Sequence, residues 1–97
     1  MTYTLSQEQY DDLSSLAYWI ADEMYLRERY GNDEPEIKKA QDTISFLFDV
    51  LDKAKVPFWV QNTVIAFSEN WRRYKTEYLR DYLETKNVFL KEKLVCN

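Results

Sequence analysis

Residues 6–31 read SQEQYDDLSSLAYWIADEMYLRERYG, and this stretch decides the fold. Ser6 followed three residues on by Gln9 has capping-box spacing, in which each side chain accepts the other's backbone N–H. A helix is therefore expected over about 6–30, with Gly31 as the residue that takes the left-handed conformation past its end. Leu13, Leu16, Ala17, Ile20 and Met24 recur at steps of three and four, the period of one buried helix stripe.

Outward from that helix, Asn32-Asp33-Glu34-Pro35 reads as a loop, a capping residue and a first-turn proline. The second helix is expected over about 35–55, burying Ile37, Ala40, Ile44, Leu47, Phe48, Leu51 and Ala54. It stops there because Val56 precedes Pro57 and is pushed away from helical angles. Pro57 can open a third helix over about 57–86, with Val60, Val64, Phe67, Trp71, Tyr74, Tyr78 and Tyr82 on one stripe. Such a helix would be about 45 Å long, against about 30 Å for the second, so it overhangs or breaks. Ser68-Glu69-Asn70 is the expected break. The tail, 88–97, is apolar at Val88, Phe89, Leu90, Leu94 and Val95 but fits neither the helical nor the strand period.

The expected architecture is all-α: one helical domain over 1–97, an antiparallel three-helix bundle, or four helices if the third breaks. One Gly and two Pro leave little material for the tight turns of an all-β fold. No apolar run approaches the roughly 20 residues of a membrane span, and no signal-peptide pattern opens the sequence, so cytoplasm is the expected compartment.

Function is first narrowed by what is missing. The chain has no His and one Cys, Cys96, which excludes Ser-His-Asp and Cys-His nucleophile systems, His-containing metal sites and an internal disulfide. Two carboxylate pairs have i,i+3 spacing, Glu8 with Asp11 and Asp49 with Asp52. Paired acids on neighbouring helices can hold Mg²⁺, as in all-α nucleotide pyrophosphohydrolases, but that chemistry wants a denser set of acids around one cleft. The expectation is a non-enzymatic protein with no catalytic residue, metal or cofactor, and the Mg²⁺-dependent enzyme is the most distant alternative. Tyr74, Tyr78 and Tyr82 at four-residue steps read as bundle core, not as a ligand cage.

More telling are the apolar residues that a small bundle does not need. Trp19, Leu26 and Tyr30 lie roughly opposite the first helix's core stripe, with Tyr18 and Tyr25 on its flank. Phe46 and Val50 point away from the second helix's stripe, and Phe58, Ile65, Leu79 and Leu83 form a second stripe on the third. A third helix placed centrally would bury its own second stripe, but not the surplus on the other two. Aromatic residues are enriched at interface centres, and contiguous exposed apolar patches mark partners or second copies. The leading expectation is therefore a protein-binding module acting through Trp19, Leu26, Tyr30, Phe46 and Val50, self-association included.

Charge supplies the alternative. Residues 1–34 carry eight acids and two bases, whereas residues 57–97 carry five acids and seven bases. Glu8, Asp11, Asp12, Asp22 and Glu23 gather on the first helix, a surface that could occupy a groove built for nucleic-acid phosphates. A small acidic inhibitor of a nucleic-acid-handling enzyme is thus the second functional expectation. Direct nucleic-acid binding is not expected. Arg73 and Arg80 have carboxylates four residues away, which leaves Arg72 and Lys75 in a chain of net charge −4.

Overall fold

The computed structural model describes residues 1–32, 34–70 and 79–91. Six elements follow one another: β1 (Tyr3–Leu5), α1 (Gln7–Tyr30), α2 (Pro35–Lys53), α3 (Phe58–Glu69), α4 (Leu79–Thr85) and β2 (Val88–Leu90). Of the predicted third-helix stripe, Trp71, Tyr74 and Tyr78 lie outside the described residues, as do Leu94, Val95 and Cys96.

Local chemistry sets the helix ends. Gln9 N donates to Ser6 Oγ at 3.1 Å and Ser6 N to Gln9 Oε1 at 2.9 Å, so the capping box forms. Gly31, at φ 82°, closes α1 with its N–H on Arg27 O at 3.0 Å. α2 ends in a Schellman turn: Lys55 N donates to Asp52 O and Val56 N to Leu51 O, both at 3.0 Å. Lys55 itself sits at φ 62°, a conformation that disfavours any residue with a Cβ.

The third helix breaks where Ser68-Glu69-Asn70 leads one to expect it. The Ser68 hydroxyl donates back to Val64 O at 2.7 Å, and the Asn70 side chain donates to Ala66 O at 3.0 Å. The Asn70 side chain occupies the Ala66 carbonyl that its own N–H would take in a continuing helix, and that N–H turns to Phe67 O at 3.1 Å; α3 stops at Glu69 and the single helix over 57–86 does not form. Four helices stand among the described residues. The break also decides the burial of Leu79 and Leu83, which the sequence leaves open. On the separate α4 they turn inward and are 1% and 2% exposed, while Tyr82 leans on Phe67 with ring centroids 5.2 Å apart.

The central helix is α1, not the third. It packs against both α2 and α3, and α4 packs against α3 and β2. Gln9 Nε2 reaches Ala54 O, just past the end of α2, while Glu23 Oε1 accepts from Gln41 Nε2 near its start. Leu13, Leu16 and Ala17 of α1 meet Leu47, Leu51, Val60, Val64 and Phe67 in one buried cluster. Beyond Ala21 no residue of α1 is fully buried, because its 24 residues, about 36 Å, outrun the 12 of α3. Met24, expected in the core, is consequently 41% exposed, and Ala54, past the end of α2, is exposed too.

The described start of the ambiguous tail, Val88–Leu90, is a strand. β2 pairs in parallel with β1, Tyr3 opposite Val88 and Leu5 opposite Leu90. Tyr3 N donates to Asn87 O at 3.0 Å and Lys91 N to Leu5 O at 2.7 Å. Side chains alternate across the pair: Leu5 and Val88 are buried and Thr4 and Phe89 face out.

Candidate functional site

At about 100° per residue, the buried positions of α1 (Leu13, Leu16, Ala17, Ala21) leave the opposite half of the helix to solvent. Two adjacent rows run along that half. One holds Asp11, Ser15, Tyr18, Asp22, Tyr25 and Arg29; the other holds Glu8, Asp12, Trp19, Glu23, Leu26 and Tyr30.

Three tyrosines dominate the exposed surface. Tyr18 is 54%, Tyr25 44% and Tyr30 57% exposed. Trp19 and Leu26 are half-buried: the Trp19 ring meets the Tyr18 ring edge-on at 5.7 Å and packs on the margin of the core. Arg29 ties the far end together. Its Nη1 donates to Tyr25 Oη at 3.2 Å, and its guanidinium lies 5.9 Å from the Tyr25 ring centre and 5.8 Å from that of Tyr30. Sequence reasoning did not select Arg29, although its four-residue offset from Tyr25 was a signal for the pair. Nor did it rank Tyr18 and Tyr25 above Trp19 and Leu26, whose larger burial depends on tertiary packing.

On the same side of α1 lies a hollow of about 320 Å³, lined by Ser14, Ser15, Tyr18 and Trp19 of α1 and Leu79 of α4. The two serines are short, and Leu79 of α4 supplies an apolar wall. On α2, Phe46 is 64% exposed and Val50 half-buried, a second and smaller apolar patch. Phe58, at the start of α3, is 73% exposed.

The five acids of α1 expected to form an acidic surface differ in their environments. Glu23 is ion-paired with Arg27 at 2.7 Å and also bonded to Gln41, so its charge is neutralised and anchored to α2. Glu8, Asp11 and Asp12 crowd the first two turns without a basic residue paired to them among the described residues. Partial burial raises the Asp12 carboxyl above its ordinary value, and the neighbouring charges of Glu8 and Asp11 raise it further. Asp11 accepts a hydrogen bond from Gln7 Nε2 at 2.9 Å, and Asp22 is half-buried in the tyrosine row.

Asp49 and Asp52 are exposed on α2, and Asp52 Oδ1 accepts from Gln61. Among the described residues no group of three or more acids or cysteines is placed to hold a metal ion. Of the predicted ladder, Arg80 and Glu84 pair at 3.6 Å; Arg72, Arg73, Lys75 and Glu77 lie outside the described residues. No helix among the described residues is long and apolar enough to cross a membrane. No protein-family model matches the chain, and neither the curated proteins nor the solved structures contain a significant match to it.

Proposed function

We propose that this protein binds protein chains without catalysis, through the outer face of α1, with Phe46 and Val50 of α2 as a secondary patch. The observation that carries the reading is the set of half-open tyrosines on the outer face of α1, Tyr18 and Tyr25 in one row and Tyr30 in the other. A tyrosine buries a large ring at little entropic cost and keeps its hydroxyl for a partner or water. Trp19 and Leu26 beside them supply area that association would finish burying. The cytoplasm is the compartment this reading favours, since the lone Cys96 would remain reduced there.

The test is a paired substitution, Leu26→Asp with Tyr30→Ala. The reading expects an unchanged far-UV helical signal and loss of association. An unfolded double variant would make these residues core and sink the reading.

A second reading, an acidic inhibitor that occupies a phosphate-binding groove, is favoured by the Glu8, Asp11 and Asp12 cluster, which has no basic partner among the described residues. It predicts a complex that weakens steeply as ionic strength rises, whereas the aromatic interface changes little with salt.

A further inference from the structure

We infer that the partner of the α1 face is a second copy of this chain, packed α1 against α1 in antiparallel orientation about a twofold axis at position 20. The inference rests on the reading of that face as a protein-binding surface and names its occupant.

The open row Asp11, Ser15, Tyr18, Asp22, Tyr25, Arg29 has alternating steps of four and three, the seam spacing of two packed helices. It is also complementary to its own reverse. Asp11 and Arg29 are equidistant from position 20, as are Ser15 and Tyr25, and Tyr18 and Asp22. An antiparallel twofold pairing brings each residue opposite its mate on the other copy, because residue i contacts j while j contacts i. Each layer then joins unlike groups: Asp11 carboxylate with Arg29 guanidinium, Tyr18 hydroxyl with Asp22 carboxylate, and small Ser15 with large Tyr25.

The structure supplies the recess for the last pair. Ser15, which the pairing sets opposite Tyr25 of the other copy, lines the hollow of about 320 Å³ with Ser14, Tyr18, Trp19 and Leu79, and that volume would receive the Tyr25 ring. Trp19, in the flanking row, comes nearest its own counterpart at the axis. The six seam residues are exposed or half-buried over about 27 Å of helix. Parallel pairing is disfavoured by the same residues, since it sets Asp11 on Asp11, Asp22 on Asp22 and Arg29 on Arg29.

The test is sedimentation equilibrium on the reduced full chain, wild type and Asp11→Arg, Arg29→Asp and their combination, with far-UV circular dichroism as the folding control. The wild type should dimerise, and each single variant should raise the dimer Kd roughly tenfold or more through like charges in two symmetric layers. The combined variant, which exchanges the two charges, should recover affinity. A wild type that stays at one chain's mass at every concentration overturns the inference and leaves the protein-binding reading standing with a foreign partner. A dimer indifferent to the charge variants but lost in Leu26→Asp with Tyr30→Ala overturns only the antiparallel seam. A dimer that survives both sets overturns the seam and the face together.

Discussion

Gln61, 1% exposed, donates from Nε2 to Asp52 Oδ1 at 2.9 Å, linking the first turn of α3 to the last turn of α2. The same nitrogen donates to the carbonyl of buried Val56 at 2.9 Å, so one amide group secures the whole α2–α3 turn. Gln61→Leu keeps the bulk and strips the donor from both acceptors. We expect a loss of about 1–3 kcal/mol, read as a lower urea midpoint at unchanged slope. A variant as stable as the wild type would show that water replaces the amide there.

Lys55 occupies the left-handed turn residue at φ 62° that glycine fills at lower cost. Lys55→Gly should stabilise the fold by about 0.5–1 kcal/mol, the Cβ strain removed less the extra freedom glycine brings to the unfolded chain. Lys55→Ala keeps the Cβ and should change little. Thermal unfolding of the two variants separates backbone strain from loss of the charged side chain.

The β1–β2 pair predicts a contrast between neighbours. Leu5 is 1% exposed and Thr4 faces out. Leu5→Ala should cost about 2–5 kcal/mol as a core truncation, whereas Thr4→Ala should stay within about 0.5 kcal/mol. Equal losses would mean that the alternation across the strand is wrong.

Asp12 gives a pH dependence with a definite sign. Its folded-state carboxyl is raised above 3.8 by burial first, then by Glu8 and Asp11. The stability contributed by its tighter proton is full below the unfolded value and lost as pH rises through the raised folded value. Near neutrality the wild type therefore carries a penalty that Asp12→Asn removes. The variant should melt above the wild type at neutral pH, and the gap should close as the pH falls below the ordinary carboxylate range. A gap constant with pH would assign the effect to something other than charge.

These features were unequally legible in the sequence. Ser6, Gln9 and Gly31 specify the ends of α1 through contacts within a few residues, and Asn70 marks the break of α3 in the same way. The strands were not legible, because three residues of alternation carry too little period to read and their pairing joins positions more than 80 residues apart. The burial of Leu79 and Leu83 stayed open for a related reason: once α3 stops, the helical phase counted from Val60 no longer applies to α4. On α1, the exposure of Tyr18 follows from helical phase, whereas that of Met24 and Tyr30 comes with the overhang of α1 past α3. The half-burial of Trp19 and the pinning of Glu23 to Gln41 depend on how the neighbouring elements sit, which no local pattern encodes.

The most direct test of the account is NMR of the aromatic rings with a soluble paramagnetic relaxation agent, at low and at high protein concentration. We predict that Tyr18 and Tyr25 lose their access to the agent as concentration rises, while Phe58, 73% exposed on α3 and outside the proposed seam, remains fully accessible. If the Tyr18 and Tyr25 rings are relaxed equally at both concentrations, α1 does not meet a second copy, and the central claim is contradicted.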